Sequence, residues 1–463
     1  MDDVQRHLGN RLAIEGGTPV RTTPLPWELP GAHWIGAEER ALVDRVVDAQ
    51  SPFRFYGLDS QKMVDTLESE WCETFGHRHA LAVNCGSAAL HIALAAFEVG
   101  PGDEVMVPGY MWVSCISAIV RLGAIPRLVD IDDTFCMDPA DLERKIGPRT
   151  RAILLVNMSG AMGRNAEIAA IAKKHGLFLL EDCAQAIGGS QHGTPAGRFG
   201  DIGIYSFQLN KNMTSGEGGL LVTEDAHLHR RCVAIHDLGF ARNEAGRLDP
   251  NDERYQLWGM GCRMSELAGA MALAQLRKVR TITGRMRHAK WQIREGTADL
   301  PGLTLRHVPD PSGDTGPFLI TVYPTAEICD RFVAALQAEG IRGPAGSLTC
   351  IRMKDWGMHW YFNIPSLVRR RYDRGALPVC DDMEQQAALL SIASVLSEAD
   401  IDDIGDVGLA QHRGRHRRYR RRIPQGRQRR AAAVTRPRRC RAARTPARTP
   451  SRPHLRPPIA RAA

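Results

Sequence analysis

From residue 80 onward, short apolar runs alternate with stretches of helical period, the pattern of an α/β protein. Strands are expected at 80–84, 104–107, 126–131, 152–156, 177–180, 202–207 and 219–223. Helices are expected between them, at 88–97, from after Trp112 to Leu122, at 138–146 (opened by Asp-Pro) and at 166–175. The last two strands lie close together, separated only by the Gly-rich segment 208–218. Helices dominate from 225 to about 294. A smaller α+β unit follows, with a strand at 318–322, a helix at 326–339 and a closing helix at 400–404. No internal repeat is present.

A chain of 463 residues exceeds what one hydrophobic core usually serves, so two domains are expected. The divisions read from the pattern are an N-terminal arm (1–35), a large domain (36–285), a small C-terminal domain (286–410) and a tail (411–463). Hydrophobic residues make up 43% and charged residues 24%, an ordinary globular balance. No apolar run approaches the roughly 20 residues that span a bilayer. The opening Met-Asp-Asp-Val-Gln-Arg-His lacks the apolar stretch of a signal peptide. The 11 cysteines are scattered without a Cys-x-x-Cys pair, which argues for free thiols in a reducing cytoplasm and against a metal site. The net charge of +8 comes from the tail, where 19 Arg stand with no Lys, Asp or Glu. Residues 1–410 hold 41 Lys and Arg against 52 Asp and Glu, so the body is acidic. The tail, rich in Arg, Pro and Ala, is expected to be disordered. With only Tyr419 as an interleaved aromatic, it argues against nucleic-acid binding.

Chemistry gathers at the strand ends. Ser206-Phe-Gln-Leu-Asn-Lys211 through Gly219 places an amine on a glycine-bearing loop at a sheet edge. Such a lysine forms a Schiff base when its surroundings favour the neutral amine; otherwise it is a solvated surface lysine. Asp182 closes a strand in Glu181-Asp-Cys-Ala-Gln185, where it suits a protonated pyridine nitrogen or, more plainly, a helix N-cap. Gly86-Ser87 lies at a strand-to-helix junction that suits a phosphate, or a simple cap. Trp112 follows another strand and is placed to stack on an aromatic cofactor or to fill core. All four fall at the carboxyl ends of strands of one α/β sheet, where such folds bind ligands.

In these segments the chain resembles the DegT/DnrJ/EryC1/StrS family of pyridoxal phosphate (PLP) dependent aminotransferases. The resemblance covers about residues 12–405. It rests on Asn84-Cys-Gly-Ser87, Gly102-Asp-Glu-Val-Met-Val-Pro108, Glu181 to Gln185, Gly200-Asp-Ile-Gly203, Ser206 to Gly219 and Arg263-Met-Ser-Glu266. It implies the fold-type I, aspartate-aminotransferase-like architecture: a large, mixed, mostly parallel sheet domain and a small α+β C-terminal domain. It also implies that Lys211 carries the cofactor and acts as proton carrier, and that Asp182 pairs with the ring nitrogen. Gln185 would approach the ring hydroxyl, Trp112 would cover the ring face, and Gly86, Ser87 and Ser206 would hold the phosphate. No metal is implied. Family members commonly place an Asn, reaching the neighbouring subunit's phosphate site, where this chain has Gly261.

The reaction so implied moves an amino group from glutamine or glutamate to a keto-cyclitol or ketosugar, in a cytoplasmic homodimer. Lys211 argues against the relatives that carry His there and remove a hydroxyl instead. The segments Leu12 to Arg21 and Ser206-Phe-Gln look more like the cyclitol and aminohydroxybenzoate members. His359-Trp-Tyr-Phe-Asn363 is a candidate acceptor lining or small-domain core. The stretch 237–263, long, polar and Gly-bearing, is expected to complete a neighbouring subunit's site. An aminohydroxybenzoate-synthase-like enzyme and a non-catalytic PLP-binding regulator remain as alternatives.

Overall fold

The apolar runs become a seven-stranded sheet. Its strands are β1 (His79–Val83), β2 (Glu104–Pro108), β3 (Ile125–Val129), β4 (Thr150–Val156), β5 (Phe178–Asp182), β6 (Ile202–Ser206) and β7 (Gly219–Thr223). The structure, a computed structural model, describes residues 11–243, 247–298, 300–356 and 375–407, all within one compact unit. The expected tail and the His359 to Asn363 cluster lie outside the described residues. The strand order is β1-β7-β6-β5-β4-β2-β3. Six strands run parallel, and β7 is antiparallel to both of its neighbours. A sheet covered on both faces needs apolar side chains pointing both ways, which is why β2, β6 and β7 are buried throughout.

The helices of this part are α1 (Ala37–Asp48), α2 (Met63–Phe75), α3 (Gly86–Ala96), α4 (Ser114–Arg121), α5 (Pro139–Lys145), α6 (Asn165–His175), α7 (Ala226–His236), α8 (Glu266–Leu276) and α9 (Val279–Thr297). Alternate strand residues serve opposite faces. Leu81, Val83, Leu154 and Val156 pack with α3, α4 and α7. On the other face Ala80 and Ala82 meet α2 and α8 around the fully buried Trp71. Farther along that face, Met106, Ile153 and Leu179 meet α5 and α6.

A second sheet is antiparallel: β8 (Thr304–Leu305), β9 (Phe318–Val322), β10 (Cys350–Arg352) and β11 (Ala387–Ser391), in the order β8-β9-β11-β10. Leu319 and Leu390 pack on one face with α9 and α10 (Ala326–Ala338), while Ile320 and Leu389 join the core of the large sheet. Helix α9 passes between cores, with Val279 in that of the large sheet and Ile282 to Ile293 in that of the small one. Helices α1 and α2 and strands β8, β10 and β11 are additions to the sequence expectation. No helix among the described residues is long and apolar enough to cross a membrane.

Candidate active site

Every parallel strand of the large sheet presents its carboxyl end at one edge, and β7, running the other way, begins there. Asp182 ends β5 and is buried. No helix starts after it, so it is not a helix cap. Its Oδ1 accepts the Ala184 N–H at 2.9 Å, and its Oδ2 faces the Cys115 thiol at 3.3 Å. Burial pushes the carboxyl above its usual range, against the Ala184 N–H, the Cys115 thiol and the charge of Lys211.

Lys211 lies on the loop joining β6 to β7. Burial lowers the pKa of its amine, opposed by Asp182, Cys115 and Glu217, so the amine and the carboxylate share one electrostatic neighbourhood. Among the described residues Nζ has no hydrogen-bond or ion-pair partner. The backbone beneath it is pinned instead. The Lys211 N–H donates to the Gln208 carbonyl (3.0 Å), and its own carbonyl accepts the Gly31 N–H (3.1 Å). The Phe207 carbonyl takes the Thr214 hydroxyl (2.9 Å) and the Ser215 N–H (3.0 Å). Thr214 donates its N–H to Gln275 of α8 at 3.3 Å, and the Gln275 amide donates to Glu39 of α1 at 2.8 Å.

The opposite end of the site is made of close approaches. Gly86 opens α3, and a Cβ there would lie 2.7 Å from Ser206 Cβ and 3.1 Å from its Oγ. Only glycine lets the helix end close on Ser206. Gly219 is as tight, since its Cβ would lie 2.7 Å from the Cys85 carbonyl carbon. The cap of α3 is Cys85, whose sulfur accepts the Ala88 N–H at 3.3 Å, so neither Gly86 nor Ser87 is spent on capping. The Ser87 hydroxyl donates to Ser114 at the start of α4 (2.7 Å). The first N–H groups of a helix have no internal partner, so this corner offers N–H and O–H donors together.

Gln185 and Trp112 sit on the same edge but are not bonded to Asp182 or Lys211. The Gln185 side-chain Oε1 accepts the Ser159 N–H at 2.6 Å from a left-handed turn (Ser159 φ 60°). The Trp112 indole is 46% exposed and makes no hydrogen bond or ring contact among the described residues. The sequence reading overlooked Cys115, Ser114 and Ser159. Cys115 follows Trp112 by three residues, one helical turn, a spacing that could have marked it.

The segment before α8 explains its own pattern. Ser265 caps α8 by accepting the Ala268 N–H (3.2 Å), and Glu266 reaches across to accept the Met63 (2.6 Å) and Val64 (3.1 Å) N–H groups at the start of α2. Gly261 stands against Arg263, whose Nη2 would lie 3.1 Å from a Cβ there; that guanidinium is committed to Asp237 at 2.5 Å. Much of the 237–263 stretch packs on its own chain: Tyr255 is buried with Ala234 of α7, and Arg230 pairs with Asp252. Residues 244–246 lie outside the described residues. Among the described residues no cluster of His, Cys, Asp or Glu has the makings of a metal site.

This sheet order, with ligand-suited residues at its carboxyl edge, is the fold-type I architecture of the PLP-dependent transferases. The solved structure of S. venezuelae DesV in complex with a ketimine intermediate superimposes with a TM-score of 0.71 at 25% identity, covering 87% of this chain and all of that one. That of 3-amino-5-hydroxybenzoic acid synthase does so with 0.69 at 24% identity, covering 86% and 100%. The chain belongs to the DegT/DnrJ/EryC1/StrS aminotransferase family, whose sequence profile matches residues 36–407. It is 38% identical over 274 residues to the L-glutamine:2-deoxy-scyllo-inosose aminotransferase of Streptoalloteichus tenebrarius, a match spanning 58% of this chain and 63% of that protein. It is 33% identical over 375 residues to a putative L-glutamine:3-amino-2,3-dideoxy-scyllo-inosose aminotransferase of the same organism, spanning 76% and 86%.

Proposed function

We propose that this chain is a PLP-dependent aminotransferase that moves the amino group of glutamine onto a keto-cyclitol. The observation that carries the reading is a buried carboxylate, Asp182, acting electrostatically on the amine of Lys211, which has no hydrogen-bond or ion-pair partner among the described residues, both at the carboxyl edge of the sheet. The donor set fits the cofactor. A glycine-lined helix start with two hydroxyls suits a phosphate, a carboxylate suits a ring nitrogen, and an amine of lowered pKa suits an aldehyde. When bound, PLP supplies the electron sink that makes an amino acid's α-hydrogen acidic. Ser87, Ser206 and the first N–H groups of α3 would bind its phosphate. Asp182 would keep a proton on the ring nitrogen, Trp112 would offer a flat apolar face, and the Gln185 side-chain amide would serve the ring hydroxyl. Lys211 would hold the cofactor through its amine, and the same amine, freed, would carry a proton to and from the donor α-carbon.

Glutamine and a keto-cyclitol are favoured over glutamate and a ketosugar by the names of the two relatives above. We place the division between large and small domains near residue 285, within α9, where its contacts change from one core to the other. The working form is a homodimer. Residues 53–56 pack on His236, Arg242 and Arg263, and 238–240 run beside 257–260. This neighbourhood exposes Tyr56, Leu238, Phe240, Met260 and a fully exposed Trp258, an apolar patch that a second copy would cover. The ten described cysteines are all free, which suits a cytoplasmic enzyme.

The test is borohydride reduction of the full chain loaded with PLP, followed by peptide mapping and a donor and acceptor screen. A pyridoxyl group on Lys211, lost with turnover in Lys211→Ala, and conversion of keto-cyclitols with glutamine are the expected results. Labelling at another lysine, or an active Lys211→Ala enzyme, would overturn the assignment.

A further inference from the structure

We propose that Cys115 is a positioning residue for amino transfer, its thiol fixing the Asp182 carboxylate in the orientation that meets the cofactor's ring nitrogen. The inference rests on the reading of Asp182 and Lys211 just given and deepens it.

Asp182 has two hydrogen-bond donors, one on each oxygen: the Ala184 N–H on Oδ1 and the Cys115 thiol on Oδ2. A backbone donor on one oxygen alone leaves the carboxylate free to swing about its side-chain torsions; a second donor from a different element removes that freedom. Cys115 is suited to the task because it stays protonated. Its burial, with the adjacent Asp182 charge, pushes the thiol well above its ordinary pKa, so sulfur remains the donor and the carboxylate the acceptor. The titratable groups acting on Asp182 are Cys115 from α4 and Lys211 from the β6–β7 loop. Cys183 stands next in the chain, and Glu217 acts on Lys211.

The thiol is placed by the first turn of α4. The Cys115 N–H donates to the Trp112 carbonyl (3.0 Å), and the neighbouring Ser114 hydroxyl accepts from Ser87 (2.7 Å). One turn of backbone therefore links the loop that carries Trp112, the helix start at the phosphate corner and the carboxylate. A cysteine serving only as a small apolar side chain would look alike in its packing, since Cys115 lies in the core with Ile116 and Ile119. The two roles differ in what they tolerate. Packing accepts Ala or Val, whereas hydrogen bonding accepts Ser.

The experiment compares Cys115→Ser, Cys115→Ala and Cys115→Val in the full chain loaded with PLP. It records kcat and KM for glutamine, and the absorbance of the bound cofactor against pH. Hydrogen bonds to charged groups are strong enough that losing this one should lower kcat about tenfold in the Ala and Val variants, with KM within about twofold. Their absorbance titrations should be displaced from those of the native protein and the Ser variant, which should agree with each other. Equal behaviour of Ser and Ala in both measurements would overturn the proposal. So would loss of the fold in both Ala and Val variants with Ser intact, since that assigns a structural role. Borohydride labelling of Lys211 in the native protein is the control. Its failure refutes the reading of the site, whereas intact labelling with indistinguishable variants refutes the role of Cys115 alone.

Discussion

Replacing Asp182 by Asn keeps the shape of the side chain and removes its charge. The carboxylate has two oxygens for two donors, Ala184 N–H at 2.9 Å and Cys115 S–H at 3.3 Å. A carboxamide has one oxygen, so whichever way it turns, one donor meets an NH2 group, a loss of about 1–3 kcal/mol. The charge beside the ring nitrogen is the larger effect, about 4 kcal/mol for unit charges 4 Å apart at an effective dielectric of 20. Relief of the buried charge offsets part of this. A net loss of roughly 3–4 kcal/mol, at 1.36 kcal/mol per factor of ten, lowers the rate about a hundredfold to a thousandfold. Rapid mixing of the PLP-loaded variant with glutamine, followed by absorbance, measures the step directly. The same substitution removes the charge that supports protonation of Lys211, so its amine in the PLP-free protein should acylate faster at neutral pH than in the native chain. Turnover within fivefold of native would refute the argument, because no neutral side chain of that shape can replace the charge.

Gly86→Ala forces a methyl to within 2.7 Å of Ser206, so PLP affinity should fall at least about tenfold, read by equilibrium dialysis, while overpacking costs about 1–3 kcal/mol of stability in melts. His77 and His236 are buried neutral, their pKa values lowered to about 4 and about 3 mainly by desolvation. The unfolded chain takes up protons below about pH 6.5 that the folded chain refuses, so the pair should cost roughly 2 kcal/mol per pH unit between pH 6 and 4, and His236→Phe should flatten denaturant-measured stability in that range. Burial raises the Glu39 pKa, but the ion pair with Lys278 (2.5 Å) and hydrogen bonds from the Gly36 N–H and Gln275 outweigh it and leave the carboxyl lowered. Its contribution is present above about pH 4.3 and vanishes as pH falls through the folded value, so Glu39→Gln should destabilise at pH 7 and make little difference at pH 2.

The strands that position the site were legible because a doubly covered sheet leaves unbroken apolar runs, as in Ala152-Ile-Leu-Leu-Val156. Helix α1 was not, for Ala-Glu-Glu-Arg-Ala-Leu-Val-Asp-Arg-Val-Val-Asp is half polar and buries only Glu39 and Val46 fully. Ala387-Ala-Leu-Leu-Ser391 has helix-forming composition; pairing on both sides with β9 and β10 makes it a strand, a tertiary effect that local pattern does not hold. At the site, Lys211, Asp182 and the Gly86 corner announced themselves by residue type at strand ends. Ser159 did not, because a backbone N–H acquires meaning only from the amide it meets across the fold, and Cys115 offered only its spacing from Trp112, its meaning coming from the carboxylate it meets. The cap role considered for Gly86-Ser87 went to Cys85, a weak acceptor that composition would not nominate.

The reversed direction of β7 has a consequence for how this chemistry can change over time. A chain leaving a parallel strand must normally travel the full height of the sheet, through a helix, before it can pair again. Here it turns back through the loop 207–218 without a crossover helix, so the amine rides on a return whose two stems are sheet neighbours. The backbone of this return is tied to α8 and α1 through Thr214, Gln275 and Glu39, ties in which the Lys211 side chain takes no part. A substitution at position 211 therefore alters what the edge can do while leaving the scaffold beneath it untouched, and new reactions can be tried at the cost of one side chain.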